Sequence, residues 1–252
     1  MLHRFSRTEL LIGPEGLAKL VKSKVGIFGV GGVGTYAAEA LARAGVGHLV
    51  LVDYDDVCLT NINRQIHALS STIGKSKVEL MAERVKEINP KIIVEPLREF
   101  YLPDNEKEIV DQSFDYVIDA MDTVSAKLHL IKHCFALGVP VVSAMGAGNK
   151  LDPTQLRVDD ISKTAICPLA KVVRRELRKM GIKKGLKVVY STETPKTPLK
   201  LEADCRTDCV CTNHDAKGNC AKRRQIPGSI SFVPSTSGLF LASVVVRDLV
   251  GY

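Results

Sequence analysis

Arg64, Lys77 and Asp122 are the residues with which this sequence could carry out chemistry at a phosphate. When a carboxylate attacks the α-phosphorus of ATP, pyrophosphate is expelled and negative charge develops. Two cations can neutralise that charge, and a carboxylate such as Asp122 can hold Mg²⁺. A nucleotide must then lie beside them. Gly29, Gly31 and Gly34 stand at G-x-G-x-x-G spacing with Gly32 among them, so the backbone can approach phosphate oxygens closely. Asp53 follows about 20 residues later, where a dinucleotide-binding unit places an acid on the ribose hydroxyls. A dehydrogenase would use Gly31, Gly34 and Asp53 for NAD. It has no need for an arginine, a lysine and a second acid clustered at the phosphates, so the two nucleotide chemistries diverge at Arg64, Lys77 and Asp122.

The elements that must position these residues read as alternating strands and helices. Residues 25–30 form a short apolar run suited to a buried parallel strand, and 35–44 a helix that Gly45 can cap. A second buried strand, 48–52, ends at Asp53. Residues 53–67 are too polar and aperiodic for an ordinary element and read as a working loop carrying Asp55, Asn61 and Arg64. An amphipathic helix follows over 74–89, with Lys75 and Lys77 in its first turn, where the helix dipole favours an anion nearby. Strands at 91–97, 114–120 and 139–144 alternate with helices at 104–112 and 123–137. The pattern predicts an α/β fold, a doubly wound, mainly parallel Rossmann-like sheet with helices on both faces and its ligand at the carboxyl ends of the strands.

After Lys150 the pattern changes. A strand is expected over 155–161, a helix over 167–180, a strand over 187–192 and a further helix over 235–250 packed back on the sheet. Residues 1–150 therefore read as the nucleotide-binding part and 151–252 as an extension on the same sheet. Ahead of the first strand, 7–22 reads as one or two short helices broken around Gly13, Pro14 and Gly16, with Arg4 and Arg7 nearby.

Among 252 residues, 45% are hydrophobic, enough for a substantial core without disulfides. No uninterrupted apolar run has the length of a membrane span, and residues 1–10 lack the core of a signal peptide, so a cytoplasmic enzyme is expected. Lys and Arg number 35 against 28 acids, a net charge of +7. This surplus suits an anionic partner. Arg174, Arg175, Arg178 and Lys179 line one face of the 167–180 helix, with Lys183, Lys184 and Lys187 beyond it, and read either as solvated surface or as a seat for a phosphate backbone.

Several stretches together resemble the ubiquitin-activating-enzyme-like adenylating family, which includes activators of sulfur-carrier proteins. They are GVGGVG at 29–34, DYDDV from Asp53, TNINRQ from Thr60, GKSK at 74–77, INP at 88–90 and DAMD at 119–122. The resemblance implies that Asp53 holds the ribose, that Asn61, Arg64 and Lys77 contact phosphates, and that Asp122 acts at the metal. It also implies that Arg7 reaches the nucleotide of a neighbouring subunit in a homodimer. Within this family the chain is most similar to the tRNA threonylcarbamoyladenosine dehydratases, through DDVCLTNINRQIHAL, MGAGNKLDPTQLRV and the segment 163–177. That similarity implies a tRNA substrate whose threonylcarbamoyl carboxylate is activated by ATP before the side chain cyclises. The alternatives are an activator of a small sulfur-carrier or ubiquitin-like protein, with a sulfur-transfer or carrier protein as its partner, and the NAD-dependent dehydrogenase.

Sulfur-carrier activators often hold zinc through two C-x-x-C pairs, and this sequence has none. Cys205, Cys209, Cys211 and Cys220 are instead spaced C-x3-C-x-C-x8-C, just before Lys222, Arg223 and Arg224. Four clustered thiols suit zinc or an iron-sulfur cluster, or remain free thiols. Cys167, before Pro168 at a helix start, reads as a small apolar residue or as an activated thiol.

Overall fold

The structure, a computed structural model, describes residues 2–199 and 227–252. The chain opens with α1 (Ser6–Lys22), two helical stretches joined across a kink at Gly13 (φ 71°, ψ 169°), just before Pro14, where a break was expected. Gly16, grouped with that break in the sequence, lies buried inside the second stretch. Then come β1 (Lys24–Phe28), α2 (Gly34–Ala44), β2 (His48–Val52), α3 (Lys77–Ile88), β3 (Ile93–Leu97), α4 (Glu106–Ile109) and β4 (Tyr116–Asp119). They are followed by α5 (Val124–Leu137), β5 (Val141–Ala144), β6 (Leu156–Asp160), α6 (Pro168–Lys179), β7 (Lys187–Ser191) and α7 (Phe232–Val250). The α2 helix ends as expected at Gly45 (φ 104°), whose amide bonds the carbonyls of Leu41 and Ala42.

The seven strands form one sheet in the order β3-β2-β1-β4-β5-β7-β6. All neighbours are parallel except β6, which pairs antiparallel with β7 at one edge. Strands β2, β4 and β5 are apolar and buried because helices cover both faces, as parallel sheets require. The two edges are polar by contrast, with Glu95 and Pro96 in β3 and Arg157, Asp159 and Asp160 in β6, which discourages pairing with another chain. β1 has β2 on one side and β4 on the other, so the connections leaving β1 and β4 diverge and open a crevice at the carboxyl edge.

One face of the sheet packs on α2, α3 and α7, and the other on α5 and α6. α7 starts three residues earlier than expected and is long and apolar enough by composition to cross a membrane. Its Val233, Gly238, Leu241, Ala242 and Val245 are buried, with α2 as its main neighbour. At Gly238 a side chain would run into the carbonyl of Val33, so only glycine allows that approach. α3 starts at Lys77 rather than Gly74, leaving Lys75 outside it. Residues 74–76 pair instead with the 56–57 segment through Gly74 to Val57, Val57 to Lys75 and the Asp56–Ser76 bridge.

Candidate nucleotide site

The glycines after β1 do separate jobs. Gly29 (φ 88°) donates to the carbonyl of Val52, and a Cβ there would sit 2.7 Å from the carbonyl oxygen of Ala120. Gly34 lies against the carbonyl of Gly29, so its lack of a side chain lets α2 start where it does. Gly31 and Gly32 face the other way. A Cβ on Gly31 would meet only Gln65 Nε2, at 3.7 Å, and one on Gly32 would press on the Arg64 stem at 3.2 Å. The space between this turn and the loop carrying Arg64 is thus a cradle that side chains would fill. No side chain caps α2 and no acid lies in its first turn, so its dipole can act on an anion in the cradle.

Asp53 fastens the turn to the end of β2, because Oδ2 accepts the Val30 amide (2.7 Å) and Oδ1 the Asp55 amide (2.9 Å). Burial pushes its carboxyl above the usual range, against the opposing charge of Lys77. Lys77, only 5% exposed, donates to Asp55 Oδ2 at 2.7 Å. Burial alone would lower its pKa, but the charges of Asp53 and Asp55, with Asp122 contributing, outweigh burial and raise it. The lysine is therefore held as an ammonium among three carboxylates, one of which, Asp55, remains 44% exposed. Asp122 is exposed in the loop after β4. Arg64 reaches the carbonyl of Thr60 and Asn63 Oδ1 through Nη1 (2.8 and 2.7 Å), while its stem covers Gly32. Asn61 is buried, and its Oδ1 accepts the Cys58 amide, so it also braces the turn that presents Arg64.

One crevice thus gathers the glycine turn, Asp53, Asp55, Asn61, Arg64, Lys77 and Asp122. Arg7 is not among them. It is exposed in the first turn of α1, whose preceding Phe5 packs near Gly45 at the far end of α2.

Sequence reasoning missed the part played by four residues beside this crevice. Gln65 is buried with Oε1 unpartnered. His67 is buried with Nε2 3.0 Å from the Val30 carbonyl, and burial lowers its pKa to about 4, so the ring is neutral. Lys127 and Asp119 form a fully buried pair (2.6 Å) under the ends of β4 and β5, closed by Ser143 and the Ala144 carbonyl. Lys127 did leave a signal, as it heads the Leu130, Ile131, Cys134 stripe of α5.

Farther along the same edge, Cys167 is buried before α6, within 3.8 Å of where a Gly146 Cβ would lie. Lys150 is buried too and donates to the Gly146 carbonyl (2.5 Å). Burial pulls its pKa down against the charges of Cys167 and Glu193. The basic face of α6 differs from expectation. Arg174 is bound to Thr164, while Glu176 pairs with both Arg175 and Lys179. Only the start of α6 lies at the carboxyl edge. Its last turn, with Arg178 and Lys179, leads toward Lys187, level with Val142 near the start of β5, so these cations sit toward the opposite edge. Cys205, Cys209, Cys211 and Cys220, with Lys222, Arg223 and Arg224, lie outside the described residues.

The acids suit Mg²⁺ only as an ion shared with a nucleotide. Among the described residues no three His, Cys, Asp or Glu side chains converge on one point. Mg²⁺ is ordinarily held by one or two carboxylates together with phosphates and water, which the open Asp55 and Asp122 can provide.

Known proteins share this architecture. The tRNA threonylcarbamoyladenosine dehydratase of Bacillus subtilis (strain 168) is 51% identical over 249 residues, covering 99% of this chain and 95% of that protein. The crystal structure of the E. coli tRNA N6-threonylcarbamoyladenosine dehydratase in complex with ATP superposes with a TM-score of 0.84 at 36% identity, covering 98% of this chain and 93% of that one. The sulfur carrier protein ThiS adenylyltransferase of Escherichia coli (strain K12) is 35% identical over 215 residues, covering 79% of this chain and 85% of that protein. Residues 5–252 match the ThiF family, and the chain belongs to it.

Proposed function

We propose that this chain is an ATP-dependent tRNA threonylcarbamoyladenosine dehydratase. The observation that carries the reading is Arg64 lying over Gly32 of the glycine turn and Lys77 held among Asp53, Asp55 and Asp122 at the end of the adjoining strands, in a chain 51% identical over nearly its whole length to a dehydratase of that name. The substrate carboxylate attacks the α-phosphorus, the bond to the bridging oxygen breaks and pyrophosphate leaves. A nucleophilic atom of the carbamoyl group then attacks the activated acyl carbon, and AMP departs with the former carboxylate oxygen. The ring closes with net loss of water. The glycine turn and the α2 terminus bind the phosphates, Lys77 and Arg64 offset the charge of the transition state, and Asp53 sets the ribose. Asn61 holds the Arg64 loop in place. Mg²⁺ brought by the nucleotide would be held by Asp122, where it would neutralise phosphate charge.

Residues 1–150 carry the nucleotide work in this reading and 151–252 the RNA side, with Lys171, Arg175, Arg178 and Lys179 along the outer face of α6 as phosphate contacts. The active species is a homodimer in which Arg7 acts across the interface. Leu10 and Leu11 of α1 support this, being 86% and 79% exposed beside it. The cysteines at 205, 209, 211 and 220, outside the described residues, are the ligands for zinc or an iron-sulfur cluster in this reading.

Mass spectrometry of nucleosides from tRNA incubated with protein and ATP tests the reading, with loss of one water from threonylcarbamoyladenosine as the expected product. ATP–pyrophosphate exchange stimulated by a sulfur-carrier protein, with tRNA unchanged, would replace it with the carrier-activating alternative.

A further inference from the structure

Residues on either side of the 200–226 segment are fastened at the carboxyl edge, and one residue fastens both. Asn149 accepts the Lys196 amide on its carbonyl (2.8 Å), donates its own amide to the Gly228 carbonyl (2.7 Å), and accepts the Gly228 amide on Oδ1 (2.7 Å). Its backbone is left-handed, at φ 61°, a conformation asparagine tolerates better than other side chains. Pro227 packs against Gly148, where a Cβ would come within 3.0 Å of the ring. A second asparagine completes the connection. Asn63 Nδ2 donates to the Ser229 carbonyl (2.9 Å), while its Oδ1 accepts from Arg64 Nη1 (2.7 Å).

A path of hydrogen bonds, joined by the Gly228–Ser229 peptide, therefore runs from the phosphate-loop arginine through Asn63, Ser229, Gly228 and Asn149 to Lys196. A phosphate in the cradle competes for the guanidinium that now binds Asn63, which changes the partner set at the start of the path. We infer that Asn63 and Asn149 are positioning residues that couple nucleotide binding at Arg64 to the setting of residues 193–199 and 227–231, the walls on the RNA side of the site. The assignment of those walls to RNA rests on the proposed function, but the coupling between nucleotide and walls does not.

The experiment uses the full chain with a non-hydrolysable ATP analogue. Amide exchange is followed at Lys196 and Gly228, and tRNA affinity is measured with and without the analogue. In the unsubstituted protein the analogue should change exchange at both amides by about tenfold and shift tRNA affinity at least about fivefold. Asn149→Gly keeps the left-handed backbone while removing Oδ1, so it avoids the strain that alanine would introduce. It should bind ATP within about twofold of the unsubstituted protein yet lose the exchange response at Gly228, whose amide loses its acceptor, while the backbone bonds that reach Lys196 remain. Asn63→Ala cuts the path at its start and should lose the exchange response at both amides and the shift in tRNA affinity. Unchanged exchange on adding the analogue to the unsubstituted protein overturns the inference, as do full responses in both variants. An exchange response without any tRNA binding would leave the coupling standing and remove the RNA reading instead.

Discussion

Two lysine–aspartate pairs lie at the carboxyl edge of the same sheet, nearly equal in length and opposite in setting. Lys127 and Asp119 are 2.6 Å apart with both side chains fully buried, and Ser143, the Ala144 carbonyl and the Met121 amide fill their remaining hydrogen-bonding positions. Lys77 and Asp55 are 2.7 Å apart, but Asp55 opens to solvent and two further carboxylates face the lysine. The first pair has no vacancy for a ligand. The second has a cation whose partner water or a phosphate can displace. An ion pair at a nucleotide site is thus marked less by its distance than by which partner is left open.

The comparison breaks most visibly when each pair loses its lysine. Lys127→Met strands a buried carboxylate and should cost about 3–5 kcal/mol, read in urea unfolding, with most of that recovered in Lys127→Met/Asp119→Leu. Lys77→Met leaves Asp55 solvated and Asp53 still bound to the Val30 and Asp55 amides, so its stability loss should be smaller. Its ATP–pyrophosphate exchange, like that of Arg64→Ala, should fall about 10²–10³-fold. Equal unfolding losses at Lys127 and Lys77 would erase the distinction.

His67 sharpens the same contrast with a group that is sealed but uncharged. Its folded pKa of about 4 lies below the ordinary value of 6.5. The unfolded chain therefore takes up this proton first as pH falls. The contribution is complete above about pH 6.5 and is lost toward pH 4, a difference of about 3 kcal/mol. His67→Gln should flatten that part of the stability profile. The smallest effect belongs to exposed charges, two of them in surface pairs with Glu176: Arg175→Gln, Arg178→Gln and Lys179→Gln together should leave stability nearly unchanged and reduce the salt slope of tRNA binding by about one for each phosphate no longer neutralised. An unchanged slope would move the RNA seat off α6.

The nucleotide half of this site was legible because its signals are local. The glycine spacing, the buried strands and Asp53 at the end of the second strand all lie within one strand–helix–strand unit, and the structure places them in register. Lys127 was not legible. A lysine in a helix reads as surface, and only the strand ends brought beneath it by the fold make it core. The strands at 155–161 and 187–192 were also visible, but not that β7 enters between β5 and β6, since pairing order depends on residues remote in sequence. The same insertion fixes the direction of α6 and carries its last basic turn away from the edge where the charge pattern alone would place it.

Pro234 of α7 lies against the place where a side chain on Gly32 would stand, and Gly238 lies against the carbonyl of Val33. The turn that receives the nucleotide is therefore backed by a helix far downstream of it. During synthesis the glycine turn, Arg64 and Lys77 all leave the ribosome well before this support exists, so a nascent chain cut short before α7 would display the motif without its backing.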